Sequence, residues 1–151
     1  MNKKAAQLIQ IPGIYQTHSE KETIQLARKL ARTFKGQEIV YLIGELGAGK
    51  TVFAKGLAAG LGLKDINQVC SPSFTLVNIY PGRWPIFHLD LYRINTADDL
   101  ASIGWEDFLG QGVIIIEWGE KLGVDLGGIE VKLIILDEHL RRIELKKKKG
   151  N

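Results

Sequence analysis

The sequence predicts a layered α/β domain with a mixed, mostly parallel sheet, helices on both faces and antiparallel hairpins. Segments of helical periodicity alternate along the chain with short apolar runs. Residues 113–116 (Val-Ile-Ile-Ile) are wholly apolar, as expected for a strand that is covered on both faces. A glycine-rich loop, residues 44–51, joins a predicted strand to a predicted helix, which places the expected functional edge at the strand C-termini.

The first half of the chain predicts a helix, a strand and a second helix. Residues 19–22 (Ser-Glu-Lys-Glu) fit a capping box, and apolar residues between 24 and 34 recur at helical spacing until Gly36 ends the helix. Residues 38–43 are β-branched and apolar, which predicts a strand. Residues 51–59 follow the glycine-rich loop with helical spacing.

The second half predicts two hairpins and a short helix. Alternating apolar residues flank a turn that contains Pro81 and Gly82, and a second alternation flanks residues 137–139. A short helix opens at residues 96–100, and either Thr96 or Asn95 is suited to cap it. The predicted hairpin strands are residues 75–80 with 86–91, and residues 129–136 with 140–145.

The glycine-rich loop reads Gly-Glu-Leu-Gly-Ala-Gly-Lys-Thr, a complete G-x-x-x-x-G-K-[ST] phosphate-binding pattern. Glycine permits backbone conformations that aim N–H groups at phosphate oxygens, and the following helix N-terminus adds partial positive charge. Lys50 brings a positive charge to the β- and γ-phosphates, and the Thr51 hydroxyl is suited to ligate Mg²⁺. The pattern predicts a P-loop NTPase-like domain that binds a nucleoside triphosphate with Mg²⁺. The expected nucleotide-binding residues are Gly44, Leu46, Gly47, Ala48, Gly49, Lys50 and Thr51.

Two carboxylates are candidates for the metal site and for catalysis. Glu117 directly follows the apolar run 113–116, where the end of a buried parallel strand delivers it to the edge that carries the phosphate loop. Asp90 is able to contact Mg²⁺ or its water ligands, and strand alternation places it on one side with His88 and Tyr92. That polar side has an alternative interpretation as the solvent face of a hairpin. Arg93 either neutralises phosphate charge or pairs with nearby aspartates.

Composition predicts one domain, residues 1–145, followed by a basic, disordered tail, residues 146–151. The net charge is +3, and four of the positive charges fall in Lys146–Lys149, which leaves −1 for the rest of the chain. A nearly neutral body argues against a nucleic-acid-binding surface. The single cysteine, Cys70, excludes an internal disulfide and suits a reducing cytoplasm. No apolar run approaches ~18 residues, so no membrane association is expected.

Four segments together resemble the TsaE family, small bacterial ATPases required for tRNA threonylcarbamoyladenosine biosynthesis. These segments are Gly44–Thr51, Ser71–Val77, His88–Arg93 and Ile116–Trp118. The resemblance implies that Lys50 and Thr51 bind phosphate and Mg²⁺, that Glu117 is the Walker-B-type carboxylate and that Asp90 is needed for catalysis. It also implies that Trp118 lies near the active edge. The implied switch residues are Ser71, Ser73 and Thr75. Ser73, Glu45 and Gly119 stand where the family usually has Thr, Asp and Pro.

The resemblance also implies partners. Proteins of this family act on the TsaB–TsaD complex, which transfers threonylcarbamoyl to the adenosine beside the tRNA anticodon, so contact with tRNA is expected to be indirect or transient. The resemblance implies that the chain alone has weak ATPase activity, that its partner proteins modulate this activity and that the protein is cytoplasmic. A non-catalytic, nucleotide-gated adaptor is the main alternative. A small-molecule kinase and a GTP-driven switch are less favoured, because no basic cluster follows the loop helix and no guanine-selective segment follows Glu117.

Overall fold

A computed structural model describes residues 8–150 and contains one seven-stranded sheet, in the order β1-β7-β6-β2-β5-β4-β3. The strands are β1 (Gly13–Thr17), β2 (Ile39–Ile43), β3 (Val77–Tyr80), β4 (Ile86–Asp90), β5 (Val113–Glu117), β6 (Gly128–Ile135) and β7 (Arg141–Lys148). The α-helices are α1 (Glu20–Ala31), α2 (Lys50–Gly60) and α3 (Ala97–Ser102). Short 3-10 helices cover Ile66–Gln68, Trp105–Phe108 and Gly119–Leu122.

The centre of the sheet is parallel and its outer pairs are antiparallel. Strands β4, β5, β2 and β6 pair in parallel, whereas β3 pairs antiparallel with β4, and β7 pairs antiparallel with both β6 and β1. Among the described residues, five of the seven strands therefore run in one direction. The predicted mixed, mostly parallel α/β fold is confirmed. None of the helices between residues 8 and 150 is both long and apolar enough to cross a bilayer.

Helices α1 and α2 cover one face of the sheet and pack closely on each other. Ser19 is confirmed as the cap of α1, since its hydroxyl accepts a hydrogen bond from the Glu22 N–H at 3.1 Å. The Glu22 carboxylate accepts from the His18 N–H at 2.7 Å rather than from that of Ser19, so the reciprocal bond of a capping box is shifted by one residue. Gly56 and Gly60 of α2 permit the close approach: a Cβ on Gly56 would lie 2.6 Å from the Ala27 Cβ. Helix α2 ends at Gly60, one residue beyond the predicted helical residues 51–59.

The opposite face of the sheet is covered by α3 and short 3-10 segments. Its core contains buried aliphatic residues of β4 and β5, among them Leu89, Ile114 and Ile116. Phe87 of β4 stacks on Phe108, with ring centroids 4.4 Å apart. The parallel strand β5 is buried at every position, as its apolar sequence predicts. This double cover holds the C-terminal ends of β4 and β5 in place.

The prediction of a disordered tail is wrong for Lys146–Lys148. Strand β7 runs to Lys148, and these lysines pair with Gly128–Glu130 of β6. The Lys148 Nζ lies 4.8 Å from the centroid of the Tyr41 ring and 3.8 Å from Glu130 Oε1. Lys146–Lys148 are therefore ordered by backbone pairing with β6, and Lys148 also contacts the Tyr41 ring and the Glu130 carboxylate. The sequence prediction considered only their positive charge, which is typical of a solvated tail. Residues 1–7 of the predicted domain and residue 151 of the predicted tail lie outside the described residues.

Candidate nucleotide-binding site

The phosphate loop lies between the end of β2 and the start of α2. Gly47 and Gly49 have φ angles of 83° and 104°, which side chains rarely adopt. A Cβ on Gly44 would lie 2.7 Å from the Leu133 carbonyl oxygen, so glycine permits the loop to pass close to β6. Within residues 8–150, the N–H groups of Gly47, Gly49 and Lys50 have no protein acceptor. Free N–H groups at a helix N-terminus are suited to bind an anion.

Lys50 bends back over the loop that precedes it. Its ammonium donates hydrogen bonds to the carbonyl oxygens of Gly44 at 2.6 Å and Glu45 at 2.8 Å. It also lies 4.3 Å from the centroid of the Trp118 ring. Burial lowers the pKa of Lys50 below its usual 10.5, while nearby carboxylates, Glu117 foremost, oppose the shift. The Lys50 ammonium therefore places a positive charge directly over the phosphate loop, where it is partly shielded from water.

Glu117 ends β5 and is only 3% exposed. Its carboxylate accepts hydrogen bonds from the Thr51 hydroxyl, at 3.0 and 3.1 Å, and its Oε2 lies 2.6 Å from His88 Nε2. His88 Nδ1 in turn lies 3.0 Å from the Tyr80 hydroxyl. The alternative that the polar side of β4 faces solvent is wrong, because His88 is fully buried. This side of β4 faces the core that α2 covers, where Glu117 is its polar partner.

Asp90 ends β4 and is the register partner of Glu117 on β5. Its Oδ2 accepts a hydrogen bond from the Ser71 hydroxyl, and its Oδ1 accepts one from the Tyr92 N–H at 2.9 Å. The two candidate acids therefore lie side by side at the carboxyl edge of the sheet, next to the Thr51 hydroxyl. Hydroxyl and carboxylate oxygens are the ligands that Mg²⁺ takes beside substrate phosphates, so these side chains fit the metal.

The three predicted switch residues after Cys70 differ in their distance from the cleft. Ser71 and Ser73 line the cleft beside the phosphate loop. Thr75 is exposed, and its hydroxyl bonds to Asn78 Oδ1 at 3.2 Å, away from the residues that line the cleft. Leu76 ends the segment in a left-handed conformation, with φ of 70°. The structure thus brings two of the three predicted switch residues to the cleft.

Arg93 lines the same cleft, with its guanidinium carbon 4.2 Å from the centroid of the Phe74 ring. Among the described residues, no ion pair joins it to Asp98 or Asp99, which removes the alternative of a structural pairing with those aspartates. The Phe74 ring is 81% exposed. An aromatic ring and a cation are therefore presented together beside the cleft.

Trp118 lines the cleft from the residue after Glu117. It has a left-handed backbone, with φ of 57°, and its ring lies 5.1 Å from that of Tyr92. Gly119 follows, buried against β2, where a Cβ would lie 2.8 Å from the Tyr41 Cβ. The backbone after Trp118 is thus packed closely against the sheet and opens a 3-10 helix. Trp118 therefore lies in the same cleft as Lys50, and its role at the active edge stays a prediction.

Sequence reasoning missed Arg141 of β7, which reaches the phosphate loop from the far side. Its Nε donates to the Ala48 carbonyl oxygen at 3.1 Å, and its Nη2 donates to that of Gly47 at 3.3 Å. The guanidinium thus ties the β6–β7 hairpin to the loop. No local pattern marks this arginine, because its partners lie more than 90 residues away in the chain.

The cleft around these residues has a volume of about 710 Å³, within the usual range for small-molecule sites. It extends from the phosphate loop to Ser19, Glu20 and Thr23 at the start of α1. The sequence predicts that the adenine ring lies near residues 20–23, and this stays a prediction. Lys50, Thr51, Asp90 and Glu117 all line this one cleft.

A family model described as "Threonylcarbamoyl adenosine biosynthesis protein TsaE" matches residues 17–149. The chain belongs to the TsaE family. The TsaE of Aquifex aeolicus is 39% identical over 131 residues, which cover 86% of this chain and 92% of that protein. The TsaE of Bacillus subtilis is 36% identical over 123 residues, which cover 80% and 75% of the two chains.

The fold of this TsaE-family chain also matches a solved structure. The crystal structure of Bacillus subtilis YdiB is similar with a TM-score of 0.69 and 30% sequence identity. The match covers 92% of this chain and 86% of that chain. The resemblance to the TsaE family that the four sequence segments predict is therefore confirmed by the family model and by relatives that align over most of the chain.

Proposed function

We propose that this chain binds ATP with Mg²⁺ and hydrolyses it, and that this activity supports tRNA threonylcarbamoyladenosine biosynthesis by acting on the TsaB–TsaD complex. One observation carries the proposal. The phosphate loop, its lysine and two buried carboxylates meet at one edge of the sheet, within a single cleft. Membership of the TsaE family supports the biosynthetic role.

The main chain of residues 44–51 and Lys50 would hold the phosphates. For this, the Lys50 ammonium would exchange its hydrogen bonds to the carbonyl oxygens of Gly44 and Glu45 for bonds to phosphate oxygens. Thr51 and the two carboxylates would hold Mg²⁺, directly or through water. When bound, the metal neutralises charge that builds up on the phosphates during phosphoryl transfer.

Glu117 and Asp90 have different roles in the proposed reaction. Glu117 is held by groups on α2 and β4, so it maintains a fixed orientation toward Thr51. Asp90 is held by Ser71 and by a main-chain N–H, and a carboxylate held in this way would orient a water molecule for attack on the bound nucleotide. No basic residue is needed to take a proton early, because the transferred group passes through a loose transition state.

Exposed apolar side chains beside the cleft support a protein partner. Phe74 is 81% exposed, Leu46 of the phosphate loop is 73% exposed, and Tyr92 is 46% exposed. Large aromatic and aliphatic groups around a catalytic cleft are typical of a surface that a partner covers. The partner is the TsaB–TsaD complex, with indirect or transient contact with tRNA, and this role places the chain in the cytoplasm.

A nucleotide-gated adaptor that does not hydrolyse ATP is the second candidate. It is favoured by one observation: Lys50 and the Thr51 hydroxyl both already bond within the protein, so productive binding requires an exchange of partners. Such an exchange suits a protein that changes state when a nucleotide binds, whether or not hydrolysis follows.

Reconstituted tRNA modification separates the two candidates. TsaB, TsaD and tRNA are assayed over many turnovers with this chain and either ATP or a non-hydrolysable analogue. We expect ATP to sustain repeated turnover and the analogue to support none beyond the first. Equal support by the analogue would establish the adaptor, and no dependence on the chain would contradict the biosynthetic role.

A pair of lysine variants controls this assay. Lys50→Met removes the ammonium at the phosphates, whereas Lys55→Met removes a cation from the same helix outside the cleft. We expect only the first variant to lose ATP binding in calorimetry and support of modification.

A further inference from the structure

His88 is buried in the sheet behind the proposed catalytic edge. It has no exposed surface, whereas the side chains of His18 and His139, the other two histidines of the chain, are 67% and 80% exposed. A buried polar ring in a core of aliphatic residues is unfavourable unless its nitrogens are satisfied. Both nitrogens of His88 have partners, Glu117 Oε2 on one side and the Tyr80 hydroxyl on the other.

The partners of His88 determine which of its two ring nitrogens carries a proton toward Glu117. An ionised carboxylate only accepts, so the 2.6 Å contact with Glu117 requires a proton on His88 Nε2. With its proton on Nε2, the ring presents Nδ1 as an acceptor to the Tyr80 hydroxyl at 3.0 Å; the Cys70 carbonyl oxygen, at 3.4 Å, is a second and longer acceptor for the same hydroxyl. Burial raises the pKa of Tyr80 above its usual 10.0, so the phenol keeps its proton. The three side chains therefore form one directed chain of hydrogen bonds.

We infer that His88 is a positioning residue: its Nε2–H fixes the orientation of the Glu117 carboxylate toward Thr51, and the Tyr80 hydroxyl fixes the His88 ring. This inference rests on the proposed ATPase function. Glu117 has four lone-pair directions and a flexible side chain, and the Thr51 hydroxyl supplies one donor for them. The imidazole supplies a second, from a ring that β4 and β5 hold rigidly by their pairing.

The same chain reaches the segment that binds the second acid. The Tyr80 hydroxyl lies 3.4 Å from the Cys70 carbonyl oxygen and receives an N–H from Asn78 at 3.4 Å. Cys70 directly precedes Ser71, whose hydroxyl bonds to Asp90. Tyr80 therefore contacts the residue that supports Glu117 and the residue that directly precedes the support of Asp90. When a side chain that orients a metal-binding residue is replaced, metal affinity or activity typically falls about 10- to 100-fold.

Nuclear magnetic resonance of the free protein tests the hydrogen-bond chain without reference to activity. Only one of the three histidines is buried, so a slowly exchanging imidazole proton belongs to His88. We expect this proton on Nε2, and we expect its resonance to move in Glu117→Gln and in Tyr80→Phe. A ring of His88 with its proton on Nδ1 alone would overturn the inference, because no donor would then face Glu117.

A matched pair of amide variants tests the consequence for the reaction. Gln at position 88 places an N–H where Nε2 lies and retains the donor to Glu117. Asn at position 88 places its polar atoms where Nδ1 lies and retains only the contact with Tyr80. Single-turnover ATP hydrolysis is measured, with the TsaB–TsaD complex present if the chain alone is too slow, together with the affinity for ADP without magnesium.

We expect His88→Asn to lower the single-turnover rate constant by about 10- to 100-fold with unchanged ADP affinity, and His88→Gln to recover most of that loss. The two variants bury similar amides, so thermal unfolding at similar temperatures shows that packing does not cause the difference. Equal loss in both variants would overturn the positioning role. If wild-type protein turned over no ATP even with its partner, the proposed function would fail, and the magnetic resonance result alone would decide the placement of His88.

Discussion

Glu117 and Asp90 lie on neighbouring strands at the same register and are equally buried, yet their surroundings differ. Glu117 is held by a hydroxyl on α2 and an imidazole on β4, both in regular secondary structure. Asp90 is held by Ser71 of an irregular, exposed segment and by the N–H of its own turn at Tyr92. One acid is thus fixed by the core and the other by a loop at the surface.

This difference suggests that Glu117 keeps one position, whereas the position of Asp90 changes when the loop that holds it moves. A group held by packed strands and helices keeps its geometry when the surface changes. A group held by an exposed loop responds when a partner or nucleotide moves that loop, and loops are the segments that open at low free energy. Partner control of turnover is therefore expected to act through Asp90 and Ser71 rather than through Glu117.

The largest expected effect is on turnover. Glu117→Ala and Asp90→Ala should each lower ATP hydrolysis at least about 100-fold, because each removes a charged group that orients metal or water. Stimulated ATPase assays and reconstituted tRNA modification measure this loss. Glu120→Ala, which removes an exposed acid near the cleft, is the control. Wild-type turnover in either of the first two variants would show that the assigned role is wrong.

Thermal and denaturant unfolding should separate the two acids. Glu117→Ala leaves the buried His88 Nε2 without its partner, so we expect a loss of about 1–3 kcal/mol of unfolding free energy. Asp90→Ala leaves Ser71 and Tyr92, both exposed, to be hydrated by water, and should cost less than about 1 kcal/mol. Equal destabilisation by the two variants would contradict the distinction between a core-held and a loop-held acid.

A smaller effect is expected from the loop that holds Asp90. Ser71→Ala should lower kcat about fivefold, in line with the loss of one hydrogen bond worth about 1 kcal/mol. Thr75→Val removes a hydroxyl from the same segment that bonds only to Asn78, and should leave kcat unchanged. Measured alone and with the TsaB–TsaD complex, the Ser71→Ala loss should depend on the partner. A loss of the same size with Thr75→Val would mean that the whole segment, rather than the bond to Asp90, matters.

The parts of this site that local sequence determines were predictable. Ser19 caps α1 as its capping box predicts, and the apolar run 113–116 delivers Glu117 to the predicted edge of the sheet. The glycine spacing of residues 44–51 placed the phosphate loop between β2 and α2. Each of these features depends on neighbours within a few residues, where periodicity and turn chemistry act directly.

The features that were missed or wrong depend on distant pairing. Strand β1 has only five residues and is ordered by β7, more than 100 residues later in the chain. Lys146–Lys148 carry a charge pattern typical of a tail, and β6 pairs with them nevertheless. The burial of His88 and the reach of Arg141 to the phosphate loop follow from the same sheet order. Sequence periodicity alone does not encode which strands become neighbours.

The smallest expected effect concerns Lys50, whose ammonium is influenced by nearby carboxylates, Glu117 foremost. Burial lowers its pKa below 10.5, so the ammonium loses its proton at lower pH than an exposed lysine, and ADP affinity should fall as pH rises toward 10.5. The stability contribution has the opposite sign, because in this pH window the unfolded chain binds the proton that the folded protein releases, and stability rises with pH. Glu117 opposes the shift more strongly than Asp90 does. Calorimetry with ADP and no magnesium should therefore show the loss of affinity at lower pH in Glu117→Gln than in Asp90→Asn, and a reversed order would place the core-held acid farther from the ammonium than the loop-held one.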